Sequence, residues 1–127
     1  MEEENKKSKV WLGDDGIMRI KIEKVMNMEI AKTLVQEMKD IAKELSPKVK
    51  VLVDVNNAPS VASSIFRREM VELIIDLFKN NILEKVALWG GEIIMRTSLS
   101  FILRASRIKN IKYFKAEEEA LEWLKEE

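Results

Sequence analysis

The chain has 127 residues, 46% of them apolar and 35% charged, with 22 Lys+Arg against 22 Asp+Glu. That length suits one domain with a core that needs no staples. The absence of Cys and His excludes disulfides, thiolate nucleophiles, the commonest metal ligand, and both Ser-His-Asp and Cys-His catalysis. A net charge of zero disfavours binding to nucleic acid through bulk charge.

Residues 1–8 are highly charged and lack the apolar stretch of a signal peptide, so a solvated tail is expected there, followed by one domain over 9–127. No apolar run approaches the roughly 20 residues of a membrane span. Together with the absence of cysteine, this makes a cytoplasmic protein the expectation. Val10-Trp11-Leu12 and Ile17–Ile22 flank the turn residues Gly13-Asp14-Asp15-Gly16, and Ile20 and Ile22 alternate with Arg19 and Lys21. This predicts a β-hairpin with one wet face. Over 29–45 the period becomes helical, through Ile30, Leu34, Met38, Ile41 and Leu45, with Asn27 as N-cap and Ser46-Pro47 as the stop. Val49–Val55 is β-branched and mostly apolar, as an inner strand should be.

A loop over Asn56–Ser60 leads into a second helix over 61–79. Lys85–Trp89 is the next strand, followed by Gly90-Gly91, a third helix over 92–108, a short strand Ile111–Phe114 and a last amphipathic helix over 116–126. The order ββαβαβαβα implies an α/β domain with a mixed, mostly parallel sheet flanked by helices.

Three segments carry a family likeness. Val51-Leu52-Val53-Asp54-Val55, a polar loop and Ser63-Ser64 at a helix start resemble the strand, loop and Asp-Ser-Ser-Gly of STAS domains, the fold of anti-sigma-factor antagonists. Glu84–Gly90 looks like that family's fourth strand. The tail from Tyr113 to Leu124 is similar to the aromatic strand end and Glu-Ala-Leu-x-Trp-Leu helix of the SpoIIAA-like branch. The resemblance covers essentially 9–126. It implies a STAS fold, a regulatory protein partner, and a phospho-acceptor at Ser63 or Ser64. Ala62 and Ile65 stand where the STAS pattern has Asp and Gly. The SpoIIAA-like branch is also compared with CRAL-TRIO lipid-binding domains, which implies an apolar ligand as an alternative.

Read from the residues themselves, the segment 56–68 leaves a parallel strand end and enters a helix N-terminus, where free N–H groups and the helix dipole favour anions. Ser60, Ser63 and Ser64 offer hydroxyls, and Arg67 and Arg68 lie in the first two turns, Arg67 on the apolar side. Asp54, Asn56, Asn57, Gly90 and Gly91 complete the expected crevice, with Asp54 as the one acid beside it. The competing reading is plainer: a serine caps the helix, the arginines are solvated, Gly90-Gly91 is a turn, and Asp54 accepts loop N–H bonds. Gly90-Gly91 lacks either phosphate-loop spacing, and the seven Met and three Trp fit core filling, so no cofactor or metal is expected.

Arg96, Arg104 and Arg107 share one arc of the third helix, and the stretch 93–115 holds six basic residues and no acidic one. This stripe is an expected interaction surface for a partner, a peripheral lipid head group or a second copy of the chain. The plainer alternative pairs its arginines with the six glutamates of 116–127. The leading expectation is a non-catalytic module that binds a regulatory protein or small anionic ligand at 56–68. The alternative is a lipid or other apolar molecule held between the 61–79 and 92–108 helices, lined by Phe66, Met70, Leu99 and Ile102. An enzyme using carboxylates or serines ranks last for want of a base, and edge strands together with the broad apolar face of the third helix allow a homodimer.

Overall fold

An antiparallel hairpin opens the sheet. In the computed structural model, which describes residues 8–23, 27–45, 48–57, 72, 75–80, 82–91, 104 and 109–126, strand β1 (Lys9–Leu12) runs against β2 (Met18–Lys21) with Leu12 opposite Met18. The Gly13 N–H donates to the Ile17 carbonyl at 2.9 Å and the Gly16 N–H to the Gly13 carbonyl at 3.0 Å. Gly16 turns the chain at φ 80°, where a Cβ is disfavoured. Met18 and Ile20 are buried and Arg19 and Lys21 half-buried, which gives the alternation the sequence predicts.

Arg19 clamps the hairpin. Its guanidinium donates to both carboxylate oxygens of Asp15, at 2.8 and 2.9 Å. That bond holds the Asp15 carboxyl well below the usual carboxylate range, against the opposing effect of partial burial. A carboxyl whose pKa is depressed by folding contributes stability above its unfolded pKa and loses it as pH falls toward the folded value. Urea unfolding of wild type and Asp15→Asn should therefore differ most at neutral pH. The two curves should converge as pH drops below about 4.

Helix α1 (Met28–Ala42) follows, and the Asn27 side chain accepts from the Ile30 N–H at 2.9 Å as its N-cap. Ala31, Leu34 and Met38 are buried along one stripe. The helix ends three residues before the expected 45. The Glu44 and Leu45 N–H groups reach back three residues, to Ile41 and Ala42, so the chain tightens into turns while Leu45 still packs on the core. Ser46 and Pro47, the expected stop, lie outside the described residues.

Strand β3 (Val49–Asp54) pairs in parallel with β2 and with β4 (Leu83–Trp89), which in turn pairs in parallel with β5 (Ile111–Phe114). The sheet order is β1-β2-β3-β4-β5, so β3 is central as its apolar run requires. β4 begins at Leu83, two residues before the expected Lys85. A register shift at Val49/Lys50 gives β4 an extra residue there and obscures the alternation in sequence. The last helix, α2 (Glu117–Lys125), is one residue shorter at each end than predicted. Of the second and third expected helices, helical backbone is described at Glu72, over 75–79 and at Arg104.

The two faces of the sheet carry separate cores. On one, Met18, Val51, Val53, Val86 and Leu88 pack with Met38 of α1 and with Leu77. On the other, Leu52 and Ala87 pack with Ile17 and with Ala120 and Leu124 of α2, flanked by Trp89, Phe114 and Trp123. Lys85 ties α2 down: its ammonium donates to the Trp123 and Glu126 carbonyls at 2.9 and 2.8 Å and stands 4.9 Å from the Trp123 ring centre. It thereby satisfies carbonyls at the negative end of the helix. The observed architecture is a five-stranded, mostly parallel α/β sheet with helices on both faces. Among the described residues no helix is long and apolar enough to cross a membrane.

Candidate functional site

The carboxyl ends of β2, β3 and β4 meet at one edge, stitched by backbone bonds from Ile22 N–H to the Asp54 carbonyl and from Val55 N–H to the Trp89 carbonyl, both 3.0 Å. Side chains continue the stitching beyond the strands. Asp54 Oδ1 accepts from both the backbone N–H and the side-chain Nδ2 of Asn56, each at 2.9 Å. Asn56 Oδ1 in turn accepts from the Gly91 N–H at 3.2 Å. Asn56 is thus a strut between the end of β3 and the turn after β4.

That strut explains the two glycines. Gly90 and Gly91 take φ 88° and 86°, the region that side chains avoid. A Cβ on Gly90 would overlap the Asn56 amide. Gly90 also donates its N–H to the Phe114 carbonyl at 3.3 Å. Both glycine N–H groups are therefore committed within the chain, which supports the turn reading over a phosphate cradle.

Asp54 behaves as the plainer reading expected, accepting loop N–H bonds. It is not the one acid at this edge. Glu23, just past β2 and only 6% exposed, accepts from Asn57 Nδ2 at 3.1 and 3.2 Å, and its own N–H donates to Ser8 Oγ at 2.9 Å. Ser8, the last residue of the expected tail, is thereby hydrogen-bonded to the domain. Sequence reasoning missed Glu23 because Glu23-Lys24 reads as a solvated charge pair. The available signal was the Asn56-Asn57 dipeptide, whose amide donors need acceptors when they sit at a strand end.

Of the expected site residues, the structure brings together Asp54, Asn56, Gly90 and Gly91, and turns Asn57 toward Glu23. Ser60, Ser63, Ser64, Arg67 and Arg68 lie outside the described residues, as do Arg96 and Arg107 of the basic stripe. Phe66, Met70, Leu99 and Ile102 of the alternative apolar site lie outside them too. Arg104 is described, helical and exposed. The described rim is one of amides and carboxylates. Among the described residues no three Asp or Glu side chains gather closely enough to hold a metal ion.

The sequence model of the family described as "Domain of unknown function (DUF7793)" matches residues 10–127. No curated protein matches the chain. The crystal structure of an uncharacterised protein from the DUF3478 family with a SpoIIAA-like fold, from Shewanella loihica PV-4, superposes with a TM-score of 0.62. The match covers 92% of this chain and 91% of that one at 16% identity, a likeness that shows the fold alone. The fold is SpoIIAA-like, as the resemblance implied.

Proposed function

The chain belongs to the DUF7793 family, and from its SpoIIAA-like fold we propose that it is a cytoplasmic, non-catalytic regulatory module whose 56–68 segment binds a protein partner. One observation carries the reading. The Asp54–Asn56–Gly91 strut fixes the first residues of that segment at the carboxyl ends of adjacent parallel strands, where open α/β sheets bind their ligands. The described acids of the rim support one of the two expected ligand classes. Glu23 and Asp54 stand at this edge as carboxylates already engaged by amide donors. Their negative charge disfavours a small free anion and favours a partner that presents cations. A phosphate on Ser63 or Ser64, as the STAS likeness implies, would add negative charge to the 56–68 segment and weaken or redirect such a contact.

The test is affinity capture with the full chain from a lysate of its own cells, using wild type and two variants. In one, Ser63 and Ser64 are replaced by Glu; in the other, Arg67 and Arg68 by Ala. A specific protein retained by wild type, lost from at least one variant and unaffected by added inorganic phosphate is the expected result, with circular dichroism confirming that both variants fold. Retention by all three, or competition by phosphate alone, overturns the reading.

A further inference from the structure

Strand register assigns the side chains of β1 and β2 to faces, because residues directly opposite one another share a side of the sheet. One cross-strand row runs Trp11, Arg19, Leu52, Ala87, Lys112, and the next runs Lys9, Lys21, Asp54, Trp89, Phe114. Leu52, Ala87, Trp89 and Phe114 all belong to the core beneath α2. Both rows therefore lie on the α2 face. Helix α2 packs mainly on β3, β4 and β5 and reaches Ile17 just before β2, which leaves Lys9 and Trp11 of the β1–β2 half of this face exposed among the described residues.

That half has an unusual composition. Trp11 is 43% exposed, Lys9 is exposed and Lys21 half-buried. Lys9 and Lys21 are direct cross-strand partners, and like charges so placed destabilise a sheet unless something of opposite sign lies over them. Among the described residues neither makes an ion pair. Asp54 stands opposite Lys21 on β3, but its Oδ1 accepts two bonds from Asn56. Arg19, in the same patch, is held by Asp15.

The complement to this patch is on α2 itself. With Ala120 and Leu124 turned to the sheet, the helical period directs Glu118 and Glu122 outward, and both are exposed. A helix standing over one half of a sheet is a ridge with a step beside it. A second copy related by a two-fold axis lays its ridge in that step, and the symmetry makes both contacts at once: Glu118 and Glu122 over Lys9 and Lys21, with Trp11 covered on each side. We infer that the occupant of the β1–β2 half of this face is a second copy of the chain, joined through this reciprocal acidic-ridge and basic-step contact. The contact is made by Lys9, Lys21, Trp11, Glu118 and Glu122, none of which belongs to the 56–68 segment in sequence, so either reading can fail without the other.

Sedimentation velocity on the full chain tests it. Wild type should show a concentration-dependent dimer that weakens as salt rises. The double variants Lys9→Glu/Lys21→Glu and Glu118→Lys/Glu122→Lys should each weaken self-association by about tenfold or more, because each places like charges in contact. Mixed in equal amounts, they should form a heterodimer, since every reversed charge then meets its complement. Trp11→Ala should weaken the dimer without changing its salt dependence. Wild type that stays monomeric at all concentrations overturns the inference. So does a dimer indifferent to both charge reversals, or a mixture that fails to restore association while each variant keeps wild-type circular dichroism.

Discussion

Leu124→Ala should lower stability by about 2–5 kcal/mol, the cost of removing a fully buried leucine where the site cannot collapse. Leu124 is inaccessible to solvent, and with Ala120 it forms the whole buried stripe of α2. A helix of nine residues does not hold itself in water. It forms because this stripe rests on Leu52 and Ala87 and because Lys85 bonds its last carbonyls. Losing the leucine leaves those supports in place but undersized. Urea unfolding should show a lower midpoint, and hydrogen exchange should report extra opening in 117–125 above that in β3. A shift below about 1 kcal/mol would mean that Trp123 and Leu121 carry the helix instead. Trp123 is braced independently, by Phe114 at 5.7 Å between ring centres and by Lys85 and Lys112 over its ring.

Much of this arrangement was legible in the sequence because its causes are local. Asn27 caps α1 through its own side chain, and Ile111–Phe114 is bounded on one side by Lys109-Asn110 and on the other by a helix start, so both were placed as observed. Where causes are tertiary, the sequence misled. Periodicity tracks side-chain direction and continues through Leu45, which does pack on the core, but the backbone bonds there have already tightened. The early start of β4 depends on a register shift against β3, a property of two strands and of neither alone. The buried Glu23 finds its side-chain donor in Asn57, 34 residues later. No window along the chain contains both partners. Similarly, Trp11 reads as a core residue from its apolar neighbours, and its exposure follows from an edge strand that α2 does not reach.

Gly90→Ala should cost about 1–3 kcal/mol from backbone strain alone, because φ 88° is a region that residues with a Cβ enter only when forced. A second cost comes from the overlap of the new methyl with the Asn56 amide. The two costs separate in a double-mutant cycle with Asn56→Ala. Truncating Asn56 removes its bonds to Asp54 and Gly91 but also clears the space, so the double variant should be more stable than the sum of the single effects predicts. Additive effects would mean that the Asn56 side chain swings away freely and is no strut. The same series bears on binding. If Asn56 positions the 56–68 segment, Gly90→Ala should weaken partner capture even where urea midpoints show the domain still fully folded, because the displaced amide no longer joins the end of β3 to the turn after β4. Gly16→Ala supplies the control: it also requires a residue with a Cβ at positive φ, but nothing lies within 4 Å of the added carbon, and the hairpin turn it occupies is not part of the Asn56 strut. It should lower stability and leave capture unchanged.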